Sequence, residues 1–420
     1  MQPTDLTYAL RLDNEDPLAH FREEFLFPIG PHGKPAIYLC GNSLGLQPRG
    51  VRGAVEEELE KWSLHGVEGH FEKPHPWYAY HEIFAEPVGR IVGAKPHEVV
   101  VMNTLTTNLH LLMVTFYRPT KQRYKILIEA SAFPSDQYAV QSQAHVHGFD
   151  PARAVVEIGP RDGEHLIRTE DIEGYLEEHG HEVALVLLGG VNYYTGQVFD
   201  MEAITRAGHE AGAYVGFDLA HGAGNLELKL HDWDVDFAVW CSYKYLNSGP
   251  GGVAGAFVHE RFAEDKDLPR FAGWWGTDPA TRFEMGPTFV PQQGAAGWQL
   301  SNAPILTMAA HRASVELFDR ATMPALRRKS LALTAYLLEL LDALPEKSFD
   351  ILTPRAPEAR GSQVSIRARG GAEELFKRLQ EGGVICDYRR PDVVRIAAAP
   401  LYNSFEDMWR FWKIAGSASR

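Results

Sequence analysis

Two short segments of the sequence carry side chains whose types and spacing suit chemistry on a bound cofactor. One is an apolar, strand-like run that ends in Asp218 and continues to His221. The other is an apolar run followed by Tyr243, Lys244 and a glycine-rich turn at 249–252. An acid at a strand end lies at the carboxyl edge of an open α/β sheet, where such folds bind ligands. A glycine-rich turn lets the backbone approach a ligand closely.

An amine and an acid in this arrangement suit pyridoxal phosphate (PLP). The PLP aldehyde requires an amine such as Lys244 for a Schiff base, and its pyridinium nitrogen requires an anionic partner such as Asp218. A single lysine in a loop is more often a surface residue, and a lone aspartate often caps a helix. The order of Asp218, His221, Lys244 and the glycine-rich turn favours the cofactor interpretation.

Two further segments could hold the phosphate and the ring of such a cofactor. Thr104–Thr107 lies between a buried strand and a helix, and free N–H groups at a helix start favour an anion. Plain helix capping by threonine would give the same pattern. Ala132–Asp136 follows another strand, and Phe133 offers an aromatic face for stacking. Core packing is the commoner role for a single phenylalanine.

The strand-like run around Arg395 places a guanidinium among apolar neighbours, where it requires a partner. A substrate carboxylate bound by two hydrogen bonds would supply that partner, and so would an internal salt bridge. The residues alone leave both possibilities open. The segments 38–45 and 65–70 are rich in glycine and short polar or histidine side chains, but neither has a zinc-ligand spacing.

These residues are positioned by alternating strand and helix patterns. The strand-like runs are Glu98–Met102, Lys125–Glu129, Val183–Leu188, Ala213–Asp218 and Phe237–Cys241. The helical stretches are 51–62, 108–117, 136–146, 170–179 and 200–211. The first helix has an apolar stripe with acids opposite, which is typical of a face packed on a core. The alternation predicts right-handed crossovers and a mostly parallel sheet covered on both faces.

The pattern changes after about residue 303. Two helical segments, 303–320 and 324–343, lead into a smaller α+β region. The markers of that region are the strand-like runs Gln363–Ala368, Val384–Tyr388 and Val393–Ala397 and the helical stretches Glu373–Glu381 and Phe405–Ile414. We predict a large cofactor-binding domain over 51–310, a small C-terminal domain over 311–420, and an N-terminal segment, 1–50, that packs with the small domain.

The composition excludes several classes of protein. The chain has 420 residues, and its 41 basic and 55 acidic residues give a net charge of 41 − 55 = −14. Nucleic acid and anionic membranes are poor partners for such a chain, because both require a cationic face. The longest clean apolar run, Val183–Leu188, is too short to span a bilayer, and no secretory signal is evident. With three unpatterned cysteines, we expect a cytoplasmic protein with free thiols and no metal.

Three longer blocks carry a resemblance to a known family. They are Gly216–His221, Trp240–Asn247 and Leu300–Ile305. With these blocks the chain resembles the kynureninases, PLP enzymes of the aspartate aminotransferase type (fold type I), over nearly its whole length. The resemblance implies an α/β large domain with a mostly parallel, seven-stranded sheet and a smaller C-terminal α+β domain. It also implies a homodimer with active sites at the subunit interface.

The resemblance assigns roles to individual residues. Lys244 would form the Schiff base, Asp218 would hold the pyridinium proton, and Tyr243 would complete the catalytic set. The cofactor-binding positions would be Leu105, Thr106, Phe133, Pro134, Ser135, Asp136, Asp218, His221, Tyr243, Lys244, Trp274 and Asn302. Of these, Trp274 and Asn302 match positions that reach a neighbouring subunit's site. The substrate-binding positions would be Ser43, His70, Asn302 and Arg395.

The implied reaction is hydrolysis of L-kynurenine, or of its 3-hydroxy form, to an anthranilate and L-alanine by cleavage of the Cβ–Cγ bond. Arg395 would bind the amino-acid carboxylate. His70 and Asn302 are polar where the aromatic ring is expected, and a site built to bond a hydroxyl rejects the analogue lacking it. We therefore predict a preference for 3-hydroxykynurenine, in tryptophan breakdown or NAD synthesis. Gly189 departs from the family, where serine or threonine is frequent.

Other enzymes of the same fold are the main alternative. A cysteine desulfurase requires a mobile nucleophilic cysteine, whereas Cys40, Cys241 and Cys386 lie in apolar or strand-like settings. An aminotransferase would release a keto acid and require an amino acceptor. A non-catalytic regulator would carry an interaction module, and no basic helix-turn-helix segment is visible. A nicotinamide dehydrogenase is disfavoured because no Gly-x-Gly-x-x-Gly motif follows the first strand.

Overall fold

The computed structural model describes residues 2–31, 33–344, 349–369 and 371–417. Its strands, in chain order, are β1 (Phe25–Leu26), β2 (Ile37–Tyr38), β3 (Gln47–Pro48), β4 (Val99–Val101), β5 (Lys125–Glu129), β6 (Val155–Ile158), β7 (Val183–Gly189), β8 (Tyr214–Asp218), β9 (Phe237–Cys241), β10 (Ala254–Val258), β11 (Phe349–Ile351), β12 (Gln363–Ala368), β13 (Val384–Ile385), β14 (Asp387–Arg389) and β15 (Val393–Ala397).

The α-helices are α1 (Leu6–Glu15), α2 (Gly50–His65), α3 (Ala85–Val92), α4 (Leu105–Phe116), α5 (Pro134–Val146), α6 (Pro151–Ala154), α7 (Thr169–His179), α8 (Met201–Glu210), α9 (Ile305–Ala321), α10 (Met323–Asp342), α11 (Ala372–Glu381) and α12 (Phe405–Gly416). Several begin as their sequences predict. Pro134 occupies the first turn of α5, and the side chain of Asp200 accepts a hydrogen bond from the N–H of Ala203 at the start of α8.

The largest sheet has seven strands in the order β4-β10-β9-β8-β7-β5-β6. Strands β5 to β9 pair in parallel, and all seven residues of β7 are buried, as expected for a strand covered on both faces. The predicted mostly parallel α/β sheet is confirmed. Strand β10, which the pattern did not reveal, is antiparallel to β9 and β4. It follows β9 through the glycine-rich turn without a helix, so it returns directly.

A second, antiparallel sheet of four strands has the order β11-β12-β15-β14. The single strand predicted over 384–388 is wrong, because the chain forms two strands there. β13 pairs in parallel with β2, and β14 pairs with β15. The partner β2 comes from the N-terminal segment, which also contacts α12 through a hydrogen bond from the Phe405 N–H to Asp13 (2.7 Å). The domain boundaries at residues 50 and 310 stay a prediction.

Helix α2 departs from the predicted amphipathic pattern. The side chains of Leu59 and Trp62 on its apolar stripe are exposed, Trp62 to 61%. Glu58 and Lys61 are instead buried, because they pair with each other at 3.3 Å and Glu58 accepts a 2.7 Å hydrogen bond from the Trp77 indole. Helix periodicity alone does not show which face is covered when a charged pair is satisfied inside the protein.

None of the described helices combines the length and the apolar character that a membrane crossing requires.

Candidate functional site

The candidate site is a cavity at the carboxyl edge of the seven-stranded sheet. Glu129, Gly189 and Asp218 are the last residues of the neighbouring strands β5, β7 and β8, and Lys244 follows the end of β9. Parallel strands bring these ends to one edge. The cavity is lined by Leu105, Thr106, Glu129, Phe133, Ser135, Asp136, Val191, Tyr193, Asp218, Ala220, His221, Tyr243 and Lys244.

Lys244 points into this cavity beside a histidine and an aromatic ring. Its Nζ lies 3.2 Å from Nε2 of His221 and 5.7 Å from the ring centre of Phe133. Burial and the neighbouring Lys244 cation hold the pKa of His221 well below its usual value. His221 is therefore neutral, and it contacts the amine without adding a second positive charge.

Three carboxyl groups, those of Glu129, Asp136 and Asp218, also line the cavity. Asp218 accepts a 2.7 Å hydrogen bond from the Ala220 N–H, and Glu129 accepts one from the Gly189 N–H at 3.0 Å. Burial raises the pKa of all three acids, that of Glu129 to about 7, and the charge of Asp218 raises the pKa of Asp136 further. Asp136 is therefore the acid of this pair that more readily keeps a proton, which leaves Asp218 as the acid better suited to carry the negative charge.

The first turn of α4 forms another wall. Leu105 and Thr106 begin this helix of 12 residues, and its leading N–H groups are free to bind an anion. The hydroxyls of Thr104 and Thr107 bond to each other at 3.1 Å rather than capping the helix start. The predicted phosphate position thus faces the same cavity as Lys244.

The geometry fits PLP. Among the described residues, Oδ1 of Asp136 and Nδ1 of His221 are buried in this region without a hydrogen-bond partner, which is costly unless a ligand supplies one. Phe133 is 40% exposed, so its ring is available for stacking. An amine, a carboxyl group, an aromatic face and a helix N-terminus therefore meet in a single cavity. Gly189 avoids a steric conflict at this edge of the cavity, because a Cβ at residue 189 would lie only 2.9 Å from Oε1 of Glu129.

The lysine-bearing loop is held by the N-terminal segment. The N–H of Gly45 donates a 2.8 Å hydrogen bond to the carbonyl of Tyr243. A Cβ at residue 45 would lie 2.4 Å from the Lys244 carbonyl oxygen, so only glycine permits this approach. The segment that precedes α2 therefore helps to position Lys244.

A second polar cluster surrounds Arg395, whose side chain is 1% exposed. Its guanidinium donates to the carbonyl of Tyr193 (2.7 Å) and to Oγ of Ser43 (3.2 Å), and it pairs with Asp387. Tyr193 also lines the cofactor cavity, so the two sites adjoin. The internal salt bridge considered for Arg395 is present, and Ser43 lies beside it. The substrate-binding roles of Arg395 and Ser43 stay predictions.

Besides Pro134, Ser43 and Arg395, three further predicted residues do not line the cavity. Nδ1 of His70 lies 3.0 Å from the carbonyl of Val67, and its ring packs on Trp77. Trp274 is 44% exposed and donates to a carbonyl within its own loop, and Asn302 is exposed shortly before α9. Their assigned roles depend on a neighbouring subunit and stay predictions.

Several residues of the cavity were missed in the sequence. Glu129 ends a buried strand in the same way as Asp218, so the strand-end argument would have found it. Val191, Tyr193 and Ala220 have no comparable local signal, because their place depends on how the loops after β7 and β8 turn.

One group of potential metal ligands occurs among the described residues. Glu98, His231 and His259 have ligand atoms within 4.8 Å of one another. The Glu98 carboxylate already bonds to His231 (2.9 Å) and to the N–H of Glu260 (2.8 Å), while His259 accepts from the N–H of Arg261 (3.2 Å). These contacts satisfy the group as a structural hydrogen-bond network.

Residues 326–414 match the family model of the kynureninase C-terminal domain. A kynureninase of Myxococcus xanthus is 63% identical over 407 residues, which is 97% of this chain and 96% of that protein. The chain belongs to the kynureninase family. A kynureninase of Nematostella vectensis is 50% identical over 98% of this chain and 93% of that protein.

Solved structures agree on the fold. A cysteine desulfurase from Thermococcus onnurineus NA1 superposes with a TM-score of 0.75 at 19% identity, covering 94% of this chain and 96% of that one. A C-DES variant with glycine covalently linked to its PLP cofactor superposes with a TM-score of 0.77 at 18% identity. The match covers 94% of this chain and 98% of that one. The predicted kynureninase family, fold type I architecture, enzyme class and PLP cofactor are confirmed.

Proposed function

We propose that this kynureninase hydrolyses L-kynurenine or 3-hydroxy-L-kynurenine at the Cβ–Cγ bond, and that Lys244 and Asp218 hold its PLP. The observation that carries the proposal is the 63% identity over nearly the whole chain to a kynureninase, combined with an amine and a carboxyl group in one cavity. When bound, PLP supplies an electron sink for the bonds that the reaction breaks. The protein supplies orientation and proton transfer.

Lys244 is the proposed general base that moves the proton of the substrate's α-carbon. Neutral His221, 3.2 Å from its Nζ, holds the amine in place without repelling it. Asp218 keeps the heterocycle protonated, and protonated Asp136 fixes the orientation of Asp218. A charged acid at this position is what makes the ring an effective acceptor.

Tyr243 is the proposed proton donor near the reacting carbons. Its ring centre lies 5.9 Å from Nζ of Lys244. Burial raises the pKa of the Tyr243 hydroxyl, so it retains its proton at neutral pH and can release it only to a strong base. A carbanion that leaves during carbon–carbon cleavage is such a base.

The remaining contacts fix the two ends of the ligands. The first turn of α4, with Leu105 and Thr106, is proposed to bind the phosphate, next to Ser135 at the start of α5, where Pro134 sets the turn. Arg395, with Ser43 beside it, is proposed to bind the substrate's α-carboxylate. Phe133 is proposed to stack on the ring.

We also propose a homodimer. Four aromatic side chains, Phe71, Tyr78, Phe283 and Trp274, form a contiguous group that we call the aromatic surface. In that order, successive ring centres lie 6.4, 5.6 and 5.7 Å apart. Phe71 and Phe283 are more than half exposed. A patch of exposed aromatic rings of this kind is characteristic of a protein interface.

This dimer would complete the substrate pocket. His70 adjoins the aromatic surface through Phe71, and Trp274 belongs to it. A partner subunit packed there would bring such residues to the other chain's cavity, together with Asn302. On this basis we propose that His70 and Asn302 bond the ring hydroxyl of 3-hydroxykynurenine, which makes it the preferred substrate.

The cysteines support a reducing compartment and argue against a desulfurase. All three are free, and burial raises the pKa of the thiols of Cys40, Cys241 and Cys386. Thiols of this kind are poor nucleophiles. We propose a cytoplasmic location, because free thiols persist there.

The central experiment incubates the holoenzyme with each kynurenine and follows anthranilate fluorescence. We expect turnover of both substrates and a higher kcat/KM for the 3-hydroxy form. Lys244→Ala should abolish turnover and the visible absorption of bound PLP, while the exposed Lys266→Ala serves as the matched control. Full activity of Lys244→Ala would refute its role, and a clear preference for unsubstituted kynurenine would refute the hydroxyl contact.

A further inference from the structure

Two guanidinium groups and one carboxylate meet on the four-stranded sheet beside the cofactor cavity. Asp387 on β14 is directly opposite Arg395 on β15 in the strand pairing, and Arg389 lies two residues along from Asp387. Alternate residues of a strand share a face, so all three side chains lie together. Arg395 is almost completely buried, whereas the side chain of Arg389 is 37% exposed.

A single oxygen of Asp387 holds this cluster together. Its Oδ2 accepts from Oγ of Ser43 at 2.8 Å, from Arg389 at 3.0 Å and from the same terminal nitrogen of Arg395 that contacts Ser43. The other terminal nitrogen of Arg395 donates to the Tyr193 carbonyl. The plane of the buried guanidinium is therefore fixed from both ends.

The charges of the cluster leave one positive charge for a ligand. Two guanidinium groups against one carboxylate give a net charge of about +1. Cys40 and Tyr245 also lie beside Arg395, but burial raises the pKa of both groups, so they are neutral at neutral pH. His221 is near enough for Arg395 and Arg389 to lower its pKa, and it is neutral as well.

We propose that Asp387 is a positioning residue that fixes Arg395 beside Arg389 and so forms a binding site for one carboxylate. The inference rests on the proposed role of Arg395 in binding the substrate. Under this inference, affinity for the carboxylate also depends on Asp387, which does not itself contact the substrate.

The physical reason is the cost of an unpaired buried charge. Burial lowers the pKa of Arg395 to about 10, so its charged form is disfavoured at this position. Without the Asp387 charge, Arg395 and Arg389 would also repel each other. Arg395 would then turn away from its buried position, and the carboxylate would lose its aligned donors.

The test compares two small ligands that differ in one charge. L-Alanine, the amino-acid product of the proposed reaction, carries the carboxylate, whereas L-alaninamide does not. Inhibition constants are measured for holoenzyme of the wild type and of Asp387→Asn. We expect inhibition by L-alanine to weaken about 10-fold in the variant and inhibition by L-alaninamide to change less than about 2-fold. KM for kynurenine should rise more than kcat falls.

Two further variants serve as controls. Asp392→Asn removes the same charge from the same region, but Asp392 pairs with Arg367 at 3.4 Å and does not touch Arg395. It should leave inhibition by L-alanine unchanged. Arg389→Met removes a positive charge from the cluster at a partly exposed position. It should weaken inhibition by L-alanine several-fold and leave inhibition by L-alaninamide unchanged. This second variant keeps the test decisive if Asp387→Asn fails to fold.

The outcomes separate this inference from the proposed function. Unchanged or tighter binding of L-alanine in Asp387→Asn, or an equal loss for both ligands, would overturn the positioning role. Arg395→Met decides the broader proposal. If Arg395→Met weakens inhibition by L-alanine while Asp387→Asn and Arg389→Met do not, only the positioning role of Asp387 fails. If Arg395→Met leaves L-alanine inhibition intact, the carboxylate-binding role of Arg395 fails as well.

Discussion

The cofactor cavity and the aromatic surface differ in how their residues come together. The cavity is built at the ends of adjacent strands, where Glu129, Asp218 and Lys244 are held by backbone pairing. The aromatic surface joins side chains from separate loops, including Phe71 and Phe283, with no sheet to align them. Strand ends therefore give rigid positions for chemistry, whereas the loops present an exposed area that a second chain can cover.

The largest expected effect concerns the two aspartates of the cavity. Asp218→Asn should lower kcat/KM about 1,000-fold, because it removes the negative charge that keeps the heterocycle protonated. Asp136→Asn should cost only about 10-fold, because a neutral amide, like a protonated Asp136, adds no second negative charge beside Asp218. Steady-state kinetics with saturating PLP measure both. Equal losses would contradict the placement of the charge on Asp218 and the proton on Asp136.

The next prediction concerns α2, the helix that precedes Phe71 of the aromatic surface in the sequence. Lys61→Met should lower the free energy of unfolding by about 3 kcal/mol, because it leaves the buried Glu58 carboxylate without its ion pair. Urea unfolding of the holoenzyme measures the loss. The double variant Glu58→Gln/Lys61→Met removes both charges and should be clearly more stable than Lys61→Met. Trp62→Ser, at an exposed position, is the matched control with a small effect on unfolding.

Helix α2 also shows which features the sequence alone does not predict. Strand periods located β5 and β9 at their observed bounds, and they placed Asp218 and Lys244 at one edge, because these signals are local. The same logic failed on α2, where Glu58 is buried and Trp62 exposed. It also missed Asp387, whose role depends on contacts with residues far away in the sequence. Local periodicity predicts the secondary structure of the backbone, whereas the burial of a charged side chain depends on partners that are distant in the sequence.

A smaller effect is expected when the aromatic surface is altered. Trp274→Ser/Phe283→Ser should raise the dissociation constant of the homodimer about 100-fold, since two large apolar contacts are lost. Sedimentation across a dilution series measures it, and kcat should fall as the protein dissociates. Val146→Ser, at a more exposed apolar position on α5, is the control. A dimer of unchanged affinity would show that the aromatic surface is not the interface.

The smallest effect is a change in pH dependence at Glu129, the cavity acid with no assigned catalytic role. Its folded-state pKa of about 7 lies above the ordinary value of 4.5, mainly because of burial. The folded protein therefore binds the proton more strongly than the unfolded chain, and stability is lost as the pH rises from about 4.5 to 7. Glu129→Gln mimics the neutral acid and should remove this loss.

Denaturant unfolding of PLP-saturated wild type and Glu129→Gln at a series of pH values tests this prediction. The variant should gain stability relative to the wild type as the pH rises through that range, and the difference should level off above about pH 7. Glu177→Gln, on the exposed face of α7, makes the same chemical change at the surface. A constant difference between Glu129→Gln and wild type would mean that Glu129 is charged throughout. The cavity would then carry the Glu129 charge below pH 7 as well, and burial would not be what sets the protonation of this acid.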